Sequence, residues 1–330
     1  MEQSCHGAVA SRRPAAHRTP GCLHYPRKMR RRPRPARVRA LVVASLVTAV
    51  ALTGCSQSGQ GQPEAPESPN APPSTSAPAP TPAPTSTLRK GTASDPLRYA
   101  ALGDSYSAGV GGGAQTGRCQ RSPNGYPHLL AKTKTKTIVL SRFVACSGAT
   151  TSDVIDTQID ALDPQIDLVT ITIGGNDLDV SVLPSACAQG ETPTCKAAVT
   201  HSLGLLHKLP AKLAKTYKAI AKAAPRARIL VADYPLFYDL PEINDHTLGS
   251  EEFSATIAVD AAVASLDATI ANAVEEQRTT GTDIRFVDVS FKGHGINSKK
   301  PWFVLAGLDA YHPTSNGYQR YAETLSPFTK

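Results

Sequence analysis

Six residues, Leu168-Val169-Thr170-Ile171-Thr172-Ile173, form a β-branched run that stops at Gly174-Gly175. The run has the length of a strand and is apolar enough to be buried on both faces, as in a parallel sheet. Other segments alternate with it. Tyr99 to Leu102, ending at Gly103, reads as a first strand and Thr137 to Ala145 as a second. Asp153 to Leu162 carries Val154, Ile155, Ile159 and Leu162 at helical spacing. Ala197 to Ala223 reads as a helix with Leu203, Leu206, Leu213, Tyr217 and Ile220 on one stripe, kinked or divided at Pro210. Arg228 to Ala232 is a fourth strand and Ile284 to Val289 a fifth. Between them, Glu251 to Arg278 is a long helix expected to turn Phe253, Ile257, Val263, Leu266, Ile270 and Val274 inward. Thr314 to Leu325 closes the chain as a helix, with Thr314 as its N-cap. The pattern predicts an α/β fold: three layers, α/β/α, around a central, mostly parallel five-stranded sheet. Ligands in such sheets bind beyond the carboxyl ends of the strands.

This globular pattern begins near Asp95. The 330 residues are 41% hydrophobic and 19% charged, which allows a sizeable core and excludes wholesale disorder. A net charge of +8 would suggest nucleic acid as a partner, but the charge is not spread evenly. Residues 1–54 hold 11 Lys and Arg against one Glu, net +10, whereas residues 55–330 hold 24 against 26 acidic residues, net −2. The domain therefore has no general electrostatic reason to bind phosphate polymers, and no nucleic-acid partner is expected.

The basic segment has its own logic. Arg30, Arg31, Arg32, Arg34, Arg37 and Arg39 precede the uncharged stretch Ala40 to Thr53. That stretch is shorter than the roughly 20 residues of a membrane span and fits the apolar region of a secretory signal, about 7–15 residues. It ends Leu52-Thr53-Gly54-Cys55, which resembles the bacterial lipobox, where cleavage before the Cys follows its lipid modification. We expect a lipoprotein signal over 29–54 starting at Met29, lipidation of Cys55, and a non-native or unstructured extension over 1–28. Residues 56–94 contain nine prolines among Ser, Thr, Ala and Gly and cannot bury enough apolar surface to fold. The linker 55–94 is expected to be a semi-extended spacer with a reach of roughly 100 Å. The diacylglyceryl group would give stable membrane attachment and place the domain, 95–330, outside the cytoplasmic membrane. A plain secretory signal would release it instead.

Four cysteines fall in the domain: Cys119, Cys146, Cys187 and Cys195. An even number in an exported domain fits disulfides. Of the three connectivities, Cys119–Cys146 and Cys187–Cys195 are favoured, because each closes a local, loop-like segment. No C-x₂-C or paired His spacing supports zinc, and no metal site is expected.

Four short blocks carry chemistry. Gly103-Asp104-Ser105-Tyr106-Ser107-Ala108-Gly109 follows the first strand, which puts a Ser at the sheet's carboxyl edge near a helix N-terminus. It is not a G-x-S-x-G elbow. Cys146-Ser147-Gly148-Ala149-Thr150 follows the second strand, and Gly174-Gly175-Asn176-Asp177 the third. Near the C-terminus, Asp309-Ala310-Tyr311-His312-Pro313 places a carboxylate three residues before a His, where it can orient the imidazole.

In this order, the blocks resemble those of the SGNH (GDSL-type) hydrolases across about 95–330. The look is nearest to the secreted, disulfide-bearing esterases and lipases of actinobacteria. The resemblance implies a cofactor-free acyl-ester hydrolase with a flavodoxin-like fold. It implies Ser105 as nucleophile and His312 as base, with Asp309 as the acid partner. Ser105, Gly148 and Asn176 would be the oxyanion donors. In some relatives a main-chain carbonyl replaces the acid partner of His. The relatives typically carry a third disulfide; here Asn297 falls where one of its cysteines would be expected. The domain is expected to act as a monomer.

The same acyl-enzyme could serve an acyltransferase or deacetylase acting on envelope glycans, and a decayed site would leave an envelope-binding lipoprotein. Asp104 and Asp177 are expected to hold turns, and His294 to be structural. His128, His201, His207 and His246 read as surface or satisfied loop residues. Lys132, Lys134 and Lys136 read as a solvated face before the second strand.

Overall fold

The first strand, β1 (Leu97–Gly103), is the sheet's middle strand in function if not in count. It pairs in parallel with β2 (Ile138–Phe143) on one side and β3 (Leu168–Thr172) on the other. Beyond β3 lie β4 (Arg228–Ala232) and β5 (Ile284–Val287), also parallel, giving the order β2-β1-β3-β4-β5. All five residues of β3 and of β4 are buried, and Arg228, the one charged residue among them, is paired with Asp283 at 3.0 Å. This computed structural model describes residues 88–330 except 135–136 and 241–249. The expected signal, Cys55, nearly all of the linker, Lys136 and His246 lie outside the described residues.

Helices cover both faces. The nucleophile block forms the short α1 (Ser105–Ala108), and α2 (Tyr126–Thr133) follows before β2. Lys132, in the last turn of α2, is exposed, and Lys134, the cap that follows it, is half-buried; both precede β2. After β2 come α3 (Thr151–Asp153), α4 (Leu183–Ala186), α5 (Pro193–Leu205) and α6 (Leu209–Ala223). The chain ends with α7 (Glu251–Thr279) and α8 (Ser315–Leu325). Here α2 packs with α8, whereas on the other layer α6 packs with both α3 and α7. This is the three-layer α/β/α arrangement. Both expected disulfides, Cys119–Cys146 and Cys187–Cys195, are present.

Local departures from expectation have physical causes. The helix expected over 153–162 is α-helical only through Asp153, then widens into a π-turn over Val154–Gln158 and a 3₁₀ turn over Ile159–Ala161. In this segment Gln158 points inward, where its amide clips Gly103 at both polar groups: Gly103 N–H to Oε1 at 2.8 Å, Nε2 to Gly103 C=O at 2.9 Å. Pro210 divides the next helix rather than kinking it, sitting in the first turn of α6, where its missing N–H costs nothing. The intervening 3₁₀ turn shifts the rotation, so Leu203 is exposed while Leu213, Tyr217 and Ile220 are buried. In α7, Ala255 and Val259 carry the buried face. Ile257 lies two residues off that line and is exposed. Strand β5 stops early because Val289 N–H turns to the carboxylate of Asp233 at 2.8 Å.

Candidate active site

Where β1 ends, Gly103 adopts φ +116°, and a Cβ there would lie 2.3 Å from the Thr172 carbonyl. Only glycine lets the two central strands exit so close together. Asp104 then caps α1, its Oδ1 accepting the Tyr106 N–H at 3.0 Å. Its second oxygen accepts a short hydrogen bond from the Tyr234 hydroxyl, which itself accepts the Gly175 N–H at 3.0 Å. Asp104 thus holds its turn, as expected, and ties it to the exit of β3. Burial pushes its carboxyl up to about 7.

Ser105 is buried, and its Oγ lies 2.8 Å from His312 Nε2, although 207 residues separate them. His312 Nδ1 faces the main-chain carbonyl of Asp309 at 3.2 Å. A carbonyl only accepts, so Nδ1 carries the proton and Nε2 is left to accept from Ser105. This corrects the acid role expected of the Asp309 side chain. The turn that brings Asp309 C=O onto the His312 ring and N–H directs the carboxylate away. There it accepts from Gln115 Nε2 at 2.6 Å. The turn depends on Tyr311, a non-glycine at φ +68°. Its carbonyl accepts from the Tyr106 hydroxyl at 2.9 Å. The peptide preceding the base is therefore held at both ends, one of them by the residue following the nucleophile. Burial pushes the imidazole below its ordinary range against the opposing pull of the Asp309 carbonyl, which favours the neutral form.

Asn176 opens the turn after β3. Its amide donates to Ala149 C=O at 2.9 Å, leaving a second N–H. With Ser105 and His312 it lines a narrow cleft walled by Tyr106, Val180, Tyr234 and Phe237. Ser105 N–H, the first of α1, finds no acceptor among the described residues. Gly148 takes φ +81° in the turn before Ala149 and lines a neighbouring cavity with Arg118 and Asp153. The structure thus brings Ser105, His312 and Asn176 into one cleft, with Gly148 linked to it through Ala149. Asp177 accepts from Thr151 N–H, Thr151 Oγ1 and Lys212 Nζ, holding α3 against the exit of β3.

Other residues fall where expected or were missed. His294 stacks on Trp302 at 3.7 Å. Asn297 exchanges two hydrogen bonds with the main chain of Asp239, at 2.9 and 2.7 Å, joining two loops without a covalent bond. The sequence reading missed Tyr234, Phe237 and Gln115. Tyr234 stands two residues past β4, so the strand-end rule that picked out Asn176 applies to it too.

Comparison with known proteins agrees with this geometry. A family model described as the GDSL-like Lipase/Acylhydrolase family matches residues 101–320. A lipase of Streptomyces rimosus is 39% identical over 242 residues, covering 70% of this chain and 86% of the relative. Lipase 1 of Streptomyces coelicolor is 34% identical over 227 residues, covering 66% and 81%. Among solved structures, an extracellular lipase from Streptomyces rimosus superimposes with TM-score 0.62 at 35% identity, covering 70% of this chain and 99% of that one. A phospholipase A1 from Streptomyces albidoflavus gives 0.61 at 32% identity, with the same coverage. A shared sheet, a serine and histidine in contact at its edge, and relatives of this similarity lead to one conclusion: the chain belongs to the GDSL-like lipase/acylhydrolase family and is an ester hydrolase.

Proposed function

We propose that this chain is a serine carboxylester hydrolase acting on lipid or short-chain acyl esters outside the cytoplasmic membrane, attached through lipid on Cys55. The observation that carries the catalytic reading is the 2.8 Å contact between Ser105 Oγ and His312 Nε2 at the sheet's carboxyl edge. In the first step Ser105 Oγ attacks the ester carbonyl while His312 Nε2 takes its proton. The Asp309 carbonyl steadies the imidazolium through Nδ1–H. Ser105 N–H, Gly148 N–H and the second Asn176 amide proton receive the oxyanion; losing one such donor typically costs about 3–4 kcal/mol in the transition state. His312 then protonates the leaving alcohol, and water activated by the same imidazole releases the acid. Disulfides fit an oxidising, extracytoplasmic compartment.

Ser105→Ala tests the assignment. Turnover of a soluble ester should fall by roughly 10⁴-fold or more with the circular dichroism spectrum unchanged. Retained turnover by the folded variant would remove Ser105 as nucleophile.

A further inference from the structure

Past the ends of β1 and β3, the turns that carry Ser105 and Asn176 separate. Among the described residues their last main-chain link is Asp104 N–H to Thr172 C=O at 3.1 Å. Ser107 Oγ accepts the Thr172 N–H at 2.9 Å, still on the strand itself. Farther out the link is a side chain from the loop after β4. The Tyr234 hydroxyl donates to Asp104 Oδ2 and accepts the Gly175 N–H at 3.0 Å. One oxygen atom thus joins the residue before Ser105 to the residue before Asn176. The tyrosine is itself buried and fixed. Its N–H donates to Asp267 Oδ1 on α7 at 3.2 Å, and its ring meets that of Tyr106 edge-on, with centroids 5.0 Å apart. Pro235 follows and disfavours helical backbone at Tyr234. Burial and the Asp104 carboxylate push the phenol well up from its ordinary value, which keeps it a donor. Gly175 lies against the ring: a Cβ there would come within 3.1 Å of two ring carbons. On its other side, Gly175 C=O accepts the N–H groups of Leu178 and Val180 at 3.2 and 3.1 Å. The residue before Asn176 is therefore held through both its N–H and its C=O.

We propose that Tyr234 is a positioning residue for the oxyanion: its hydroxyl sets the span between the Ser105 N–H and the Asn176 amide. The inference rests on the oxyanion roles proposed above for those two groups. The position calls for a group that donates and accepts at once, since it faces a carboxylate oxygen on one side and an N–H on the other, and a tyrosine hydroxyl does both. Donors to a developing oxyanion act at about 2.7–3.1 Å, so a shift of a few tenths of an ångström at either turn weakens one of them. Such a loss is felt in the transition state more than in the bound ester. It falls on kcat and not on KM, provided that the ring walling the cleft is kept.

Tyr234→Phe in the full chain removes the hydroxyl and keeps the ring. On soluble 4-nitrophenyl butyrate, kcat should fall roughly tenfold or more, with KM within about twofold. A short alkyl trifluoromethyl ketone, whose carbonyl takes up the Ser105 oxygen to give a bound oxyanion, should lose affinity by the same factor as kcat/KM falls. Tyr99→Phe is the control. It removes another buried hydroxyl, bonded to Thr170 Oγ1 at 2.6 Å near the start of β1, and should lower Tm while leaving kcat and KM within about twofold. Gly175→Ala presses the Asn176 turn off the ring with the hydroxyl in place, and should lower kcat at unchanged KM. In the folded double variant with Tyr234→Phe, the two losses should be less than additive. An unchanged kcat in folded Tyr234→Phe, a rise in KM alone, an unmoved ketone affinity, or an equal loss of kcat in Tyr99→Phe overturns the inference and leaves the hydrolase reading standing. If Tyr234→Phe does not fold, Gly175→Ala decides, and an unchanged kcat there overturns it. If the unmodified chain turns over no ester at all, the hydrolase reading fails and this inference falls with it.

Discussion

His312 owes its orientation to main chain: its Nδ1 meets the Asp309 carbonyl, and its preceding peptide is held by Tyr106. Replacing the Asp309 carboxylate should therefore matter little. Asp309→Asn is expected to keep kcat/KM within about tenfold, whereas loss of a true triad acid costs roughly 10⁴-fold. Steady-state kinetics on a soluble ester separate the two. The base must be neutral, and burial lowers its pKa. Activity should fall as pH drops, with the midpoint of the kcat/KM profile below about 6.5, the ordinary histidine value. A midpoint well above that value would mean that a carboxylate supports the ring. Ser105, Asn176 and His312 were legible in the sequence because each sits in a short block of small or turn-forming residues, two of them directly after strands. The partner of His312 was not. Whether a side chain or a carbonyl meets Nδ1 depends on the positive φ of Tyr311, which its residue type does not announce.

Strands were the most legible elements, since a run such as Leu168 to Ile173 has few alternatives to burial in a sheet. Helix faces were less so. In α7 the buried line runs through Ala255, Val259 and Asp260, and reading by hydrophobicity preferred Ile257 to an alanine and an aspartate. Asp260 has a task there: it accepts the N–H groups of Phe237 and Tyr238, fixing the loop that walls the cleft. Burial pushes its carboxyl up to about 7. An unfolded Asp titrates near 4, so between about pH 4 and 7 the folded chain holds a proton that the unfolded chain has released. The contribution is full below that window and is lost as pH rises through it. Thermal melts should show Tm falling from pH 5 to 8, less steeply in Asp260→Asn; an unchanged slope in the variant would place the cause elsewhere. The Cys119–Cys146 link spans 27 residues and ties the loop after α1 to the Gly148 turn. Cys119→Ser with Cys146→Ser should lower stability by about 3–4 kcal/mol in denaturant titrations.

The molecule as a whole is organised around one change of direction in its sheet. From β1 the chain goes outward to β2, then returns past β1 to β3, leaving a crevice between the carboxyl ends of β1 and β3. Ser105 leaves one of these ends and Asn176 the other, and the C-terminal loop brings His312 to the same cleft. The order of strands explains why residues 105, 176 and 312 share a cleft; chemical type alone does not. The alternation of strands and helices made that architecture legible. The shape of the cleft was not, because Tyr234, Phe237 and Tyr311 lie in loops with no periodic signal. The central claim is a single reactive hydroxyl with its base in place, and a fluorophosphonate probe reads it directly. Peptide mass spectrometry of the labelled full chain should find one adduct, on Ser105, absent from His312→Ala over the same exposure. An unlabelled folded chain, or an adduct on another residue, would contradict it.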